Sequence, residues 1–409
     1  MYHKLKKPVA LVLAITLLST CLGCSSASEE GNKLIVGLVT DMTGPASSFL
    51  KIGEAALLDS VAYMNEEGTI PGVEMEVATY DCRYDPSRDI PGYEWLKQAG
   101  ASVIYTGIPT FGDTLKATAG RDEYPIVSSA PTLYQLTPPG WVFGLTPPTG
   151  WIASSFLEWI AEEDWDYESE GRKPLIGCVG WDEPYQKDVT EAMEEYVAAH
   201  PDEFELVAGL LVPMSTMTWS GEIEALKDCD YIYIPSTGLG TATFAKAYRD
   251  RGYTATFIGL DAMTAFLELL VDKAGWDYLD GSLTAHTTLY WNDDFPIVEK
   301  AKGLLAKYHA GHEQEIISSG VGYVSIFFCA QFLLDLLAET VEQVGIENFD
   351  GQAFYDTAVG FNWTKDGLPD RGYGFTESIR YARKDITVYE WKAGEEDLVR
   401  VSDWRPADE

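Results

Sequence analysis

Short apolar runs of strand length alternate with stretches of helical periodicity, and the alternation starts a second time near residue 174. The run at 34–39 is followed by the turn residues Thr43, Gly44 and Pro45. Phe49, Ile52, Ala56, Leu57, Val61 and Met64 then share one face of a helix that Gly68 ends. Val73, Met75 and Val77 alternate with Glu74, Glu76 and Ala78, the period of a half-exposed strand. Buried strands are expected at 102–106 and 125–128. The second series has strands at 174–179, 206–212, 231–234 and 255–259, with helices at 186–199 and 241–251 between them. Past 262 the pattern is chiefly helical to about 357, then strand-like at 387–391. A parallel pair needs a crossover of a dozen or more residues, usually a helix, so this rhythm predicts parallel sheets covered on both faces. Two such series predict an α/β fold of two Rossmann-like lobes, with a boundary at the Gly/Pro segment 143–148.

The amino-terminal segment fixes the expected compartment. Lys4, Lys6 and Lys7 precede an apolar stretch at 9–18, which is too short to span a bilayer but suits a signal peptide. Gly23 before Cys24 is a lipoprotein-type cleavage pattern, although Cys21 stands where a leucine is usual. Residues 1–23 are therefore expected to be a lipoprotein signal peptide, Cys24 the lipidated residue, and 24–32 a polar tether. The apolar window 323–337 is interrupted by Ser325, Gln331 and Asp335 and reads as a buried helix.

About 385 residues then remain, more than one ordinary domain and enough for two. The formal charge is −35, and removing three lysines with residues 1–23 takes it to −38. So acidic a body repels nucleic acid and anionic lipid, which leaves the lipid anchor as the only membrane contact. Cys82, Cys178, Cys229 and Cys329 show no close pairing and are expected as buried free thiols.

In open α/β sheets ligands sit beyond the carboxyl ends of the strands. The strand ends here carry Gly107 to Gly112, with Thr110 and Phe111 between them, then Ser129, Ala130, Pro131 and Thr132. The second series adds Trp181 and Tyr185, then Ser236 and Thr237, and finally Asp261. Free N–H groups and hydroxyls suit a carboxylate, Asp261 an ammonium and the rings a side chain, which together describe a zwitterion site. Each residue also has an ordinary structural use as a turn, a helix cap or a packing group. Signals for catalysis are weak. His309 and His312 lack a third metal ligand nearby, and no GxSxG, HExxH or phosphate-loop motif is present. No enzyme activity, metal or cofactor is expected.

These segments together resemble the type I periplasmic solute-binding proteins, in the branch of Leu/Ile/Val-binding proteins that serve branched-chain amino acid ABC importers. Thr43-Gly44-Pro45 is similar to the family's "TGP" loop, and Asn65 through Gly72 to its "N-x-x-GG-I-x-G" turn. Asp81 to Pro86 follows "D-D-x-x-D-P", Ser128 to Thr132 stands at "SPAAT", and Asp182 to Tyr185 at "D-x-x-Y-G". Gly322-Tyr323 and the ending at 401–404 complete a likeness that covers 33–404.

The resemblance implies discontinuous lobes, 33–145 plus 262–358 and 146–261 plus 359–409, joined by a three-segment hinge. It implies ligand contacts from Thr110, Ala130, Pro131 and Thr132 in one lobe and from Tyr185, Ser236, Thr237 and Asp261 in the other. Pro131 removes an N–H donor at its position, and Phe49, Phe111 and Trp181 imply a more aromatic pocket. The implied partners are a small-molecule ligand, namely an amino acid or related carboxylate or amide, and an integral membrane ABC permease. The alternatives are a ligand sensor for a membrane receptor and an exported hydrolase.

Overall fold

Leu34, Val36 and Val39 are fully buried in β1 (Asn32–Thr40), the strand that organises the amino-terminal half. The computed structural model describes residues 32–407, apart from 215, 236–237 and 366–372. The leader, Cys24, Ser236 and Thr237 lie outside the described residues. Asn32, read from the sequence as tether, already pairs with Val73 of β2 (Val73–Asp81). With β3 (Val103–Thr106), β4 (Ile126–Ser128) and β5 (Val142–Gly144) these strands form a parallel sheet in the order β2-β1-β3-β4-β5. Every residue of β3, β4 and β5 is buried, as expected where helices cover both faces.

The second sheet holds β6 (Leu175–Trp181), β7 (Glu205–Val212), β8 (Tyr231–Tyr233), β9 (Thr256–Leu260) and β10 (Leu283–His286). A short ribbon, β11 (Asn362–Trp363) with β12 (Tyr373–Gly374), stands apart. β13 (Asp385–Lys392) adds antiparallel to β10, β14 (Asp397–Arg400) to β13, and β15 (Arg405–Pro406) also to β13. The sheet order is β14-β13-β10-β9-β8-β6-β7, parallel from β10 to β7. This is the mixed α/β, two-lobe architecture that the alternation predicts.

The expected return to the first lobe at 262 is corrected by the strand pairing. β10 lies parallel to β9, and helix Leu267–Ala274 packs on helix Leu239–Arg249, so the chain stays with the second sheet until after His286. A four-residue strand embedded among helices leaves no readable period. The described residues therefore pass between the sheets near 144–148, 287–295 and 373–383. The first and third run side by side, with the Gly144 amide donating to Arg380 at 2.6 Å and the Ala382 amide donating to Gly144 at 2.8 Å.

Helix Gly322–Val344 is long and apolar enough to cross a membrane, yet Tyr323, Phe327, Leu333, Leu334 and Leu337 are fully buried in the fold. It packs along helix Ser47–Glu67. Phe49 seats on Gly322 and Ile326 on Gly53, each so close that a Cβ on the glycine would stand 2.9 Å from its partner. Those two seats aim Phe49 and Ile326 at the same hollow. Cys82, Cys178, Cys229 and Cys329 are free and buried.

Candidate functional site

Residues that follow β3, β4, β5, β6 and β9 meet around one cavity of about 60 Å³. Gly107, Ser129 and Ala130 come from the first sheet, and Thr146, Thr149 and Ile152 from the first crossing and the helix behind it. Tyr185, Asp261, Ala262 and Ala265 come from the second half. Phe49, Val321, Ser325 and Ile326 close the apolar side. The wall is thus part aliphatic and aromatic, part hydroxyl, with a single carboxylate. Both sheets direct their carboxyl ends to it, because parallel strands deliver all their following loops to one edge.

Asp261 opens the short helix Asp261–Thr264 directly after β9. Its Oδ2 accepts from the Thr287 hydroxyl at 3.0 Å and from the Thr287 amide at 3.4 Å. Burial pushes its carboxyl above the usual range, while the Thr287 bonds and the Arg383 charge pull the other way. Tyr185 sits in the first turn of helix Pro184–Ala199. Its hydroxyl is buried without a well-formed partner, and burial together with the neighbouring Tyr233 and Asp261 pushes its pKa far up. A buried polar atom left open in this way costs about 1–3 kcal/mol unless something else binds it.

The lobes touch beside the cavity. Glu183 caps helix Pro184–Ala199, accepting from the Tyr185 amide at 3.0 Å and the Gln186 amide at 2.8 Å. The Tyr84 hydroxyl, reaching from the loop after β2, sits beside the same carboxyl. Arg83 and Tyr84 both hold left-handed backbone, with φ of 58° and 54°, which turns the tyrosine toward its partner. Burial pushes the Glu183 carboxyl up to about 7. The Leu133 amide donates to Asp188 Oδ1 at 3.0 Å, a second polar contact between the halves. Gly238, at φ 58°, lies where a Cβ would meet the Pro45 carbonyl at 2.9 Å, so only glycine lets these loops approach.

Of the residues read from the sequence, the structure brings Phe49, Gly107, Ser129, Ala130, Tyr185 and Asp261 to the cavity. The other described ones serve nearby. Thr110 turns its hydroxyl toward Asp89, and Phe111 is fully buried in the core beneath helix Pro109–Asp122. Pro131 packs against Gly144, and its carbonyl accepts from the Thr149 amide at 3.1 Å. Thr132 caps helix Leu133–Leu136 and donates to Asp113 Oδ1 at 2.8 Å. Trp181 lies over Gly240, and its indole donates to the Thr216 carbonyl at 3.3 Å. Val321, Ser325 and Ile326 were missed. They follow no strand, and only the packing of helix Gly322–Val344 on helix Ser47–Glu67 carries them to the wall.

A second hollow, about 450 Å³, lies along helices Thr149–Trp159 and Pro184–Ala199. Glu158, Asp188, Glu191 and Glu195 line it with Trp151 and Tyr196. No group of three or more metal-ligating side chains is arranged to hold an ion among the described residues.

The sequence profile of the periplasmic binding protein family matches residues 33–396. No curated protein matches the sequence significantly. Among solved structures, the chain is similar to a branched chain amino acid ABC transporter protein from Thermus thermophilus with bound valine. That likeness has 18% identity, a TM-score of 0.80, and coverage of 92% of this chain and 97% of that one. It is also similar to a Rhodopseudomonas palustris HaA2 ABC transporter solute binding protein in complex with p-hydroxybenzoic acid, at 15% identity, TM-score 0.74, and 92% and 98% coverage. A fatty acid ABC transporter substrate-binding protein from Thermomonospora curvata gives 16%, 0.73, and 92% of each chain. At these identities the likenesses establish the fold.

Proposed function

Because the chain belongs to the periplasmic binding protein family, we propose that it captures a small amino acid, or a related carboxylate or amide, between its lobes. It then delivers this solute to a membrane ABC permease. The observation that carries the reading is the cavity itself: one carboxylate, hydroxyls on the facing wall and a short apolar end, all gathered from both sheets. Asp261 would take the ammonium. The Ser129 and Ala130 region with Thr146 would take the carboxylate, and Phe49, Val321 and Ile326 would pack on a compact side chain. A volume of about 60 Å³ favours a small solute over a long-chain one, since a single water needs roughly 10–15 Å³ on this measure. Docking on one lobe and closure of the other by rotation at the three crossings would bury the solute.

Thermal denaturation with a panel of solutes tests the reading. Small aliphatic amino acids at 100 times Kd should add about 3 kcal/mol of apparent stability. Hydroxybenzoate and fatty acids should add little. A panel in which only the aromatic or long-chain acids stabilise the protein overturns the amino-acid reading. We further propose that residues 1–23 direct export and that Cys24 carries the lipid. A Cys24→Ala variant should then leave the membrane fraction, and unchanged membrane association counts against the anchor.

A further inference from the structure

Arg383 is a buried cation that neither lines the cavity nor pairs directly with a carboxylate through a described bond. It is 2% exposed, and it lies on the third crossing between the bridge at Tyr381 and the start of β13. Its Nη1 donates to the Thr287 carbonyl at 3.0 Å and to the Thr287 hydroxyl oxygen at 3.4 Å. Its Nη2 donates to Cys329 Sγ at 3.1 Å, and the guanidinium lies 3.9 Å over the Phe328 ring. One side chain therefore joins the second crossing, the third crossing and the core helix of the first lobe.

Thr287 has one hydroxyl proton. With Arg383 donating to its oxygen, that proton is free to point the other way, toward Asp261 Oδ2. The Thr287 amide reinforces the same carboxylate oxygen. Oδ2 is thereby committed to Thr287, on a side chain that lines the cavity. A long, flexible contact would let the carboxylate rotate, but here guanidinium, hydroxyl and carboxylate form a chain with one consistent direction of donation.

We propose that Arg383 is a positioning residue for the ligand, holding Asp261 in place through Thr287 and tying that carboxylate to the hinge. This inference rests on the cavity being the ligand site. Arg383 also balances the charge of Asp261 from behind, so a ligand carrying one charge of each sign leaves the buried site neutral. The groups that face Asp261 are Arg383 from the third crossing, Thr287 from the second, Tyr185 from helix Pro184–Ala199 and Cys329 from helix Gly322–Val344. Among these Arg383 alone carries a cation, so its loss should be read directly in the Asp261 titration.

The experiment uses the empty protein first. Carbon-13 NMR of the aspartate carboxyls, with Asp261 assigned through Asp261→Asn, follows its midpoint in Arg383→Met, Arg383→Lys and Thr287→Val. Arg383→Met and Thr287→Val should raise the midpoint by about one pH unit or more, and Arg383→Lys by less. Calorimetry with L-valine as the probe then reads the consequence. Measured at pH 6 and pH 8, Arg383→Met should bind about tenfold or more weaker than the wild type, with the larger loss at pH 6. A structural defect alone would weaken binding equally at both pH values, and that result overturns the proposal. An unchanged Asp261 midpoint in Arg383→Met and Thr287→Val overturns it whatever the ligand is. If Arg383→Met does not fold, Thr287→Val and Arg383→Lys carry the same comparison. A raised midpoint with no L-valine binding to the wild type supports the positioning role and instead removes valine from the proposed ligands.

Discussion

The two hollows of the second lobe's helical face and of the cleft differ in almost every respect. The groove along helices Thr149–Trp159 and Pro184–Ala199 is larger, about 450 Å³, and four carboxylates line it. Those carboxylates are already occupied or solvated. Asp188 accepts from Thr149, Gly150 and Leu133, and Glu158 shares Arg405 with Glu162. The cleft cavity is small, yet it gathers residues from several distant segments and leaves a buried Tyr185 hydroxyl open. Convergence and unmet bonding mark a binding site better than volume does, because an open polar atom is a cost that only a ligand or water can remove.

The sharpest way to break this contrast is to remove one carboxylate from each hollow. On the amino-acid reading, Asp261→Ala should weaken ligand binding by at least about 2 kcal/mol, some 30-fold, because it would leave a buried ammonium without a counter-charge. Glu191→Ala in the groove should leave calorimetric affinity unchanged. Equal losses in both would mean that the sites have been confused.

Glu183, at the seam of the two lobes, gives a pH test. Its ordinary value is 4.5 and its folded value about 7, so between these the native state holds a proton that the unfolded chain has released. Stability should therefore fall as pH rises through this window and level off above it. Going from pH 8 to pH 5.5 should return about 2 kcal/mol from this group, read by denaturant melts. Glu183→Gln should flatten that rise, and a slope that survives the substitution assigns the effect to other groups.

Tyr185→Phe should cost ligand affinity about 1 kcal/mol with little loss of thermal stability, since the hydroxyl it deletes has no well-formed bond and only the Tyr233 side chain beside it. A fall in stability with affinity intact would make Tyr185 a packing residue. The smallest effect belongs to the groove rim. Arg405→Ala, which frees Glu158 and Glu162, should change stability by about 1 kcal/mol or less, the usual worth of an exposed ion pair.

The alternation of strands and helices was legible because each buried strand is a continuous apolar run and each helix shows its own period. Asp261, Tyr185 and Ala130 were legible because they immediately follow strands, where topology forces loops to one edge. Thr110, Phe111, Pro131, Thr132 and Trp181 share that address, but one residue's direction separates a cap or a core ring from a side chain on the cavity wall. Sequence position does not carry direction. Ser325 and Ile326 were illegible for the opposite reason: their address depends on which distant helix they pack against. β10 was hidden because Leu283, Thr284, Ala285 and His286 are too few to establish a period.

The pairing of helix Ser47–Glu67 with helix Gly322–Val344 has a kinetic consequence. The first helix emerges early in synthesis, and its partner follows only after the entire second series of strands. Until then the first helix has β1 and β2 on one side and lacks its main helical partner on the other, so the amino-terminal lobe cannot complete its core as an independent unit. Such long-range closure is slow, and it keeps an early-emerging chain in an open state. The amino-terminal lobe therefore waits for its own last helix, which arrives only after most of the second sheet has been made.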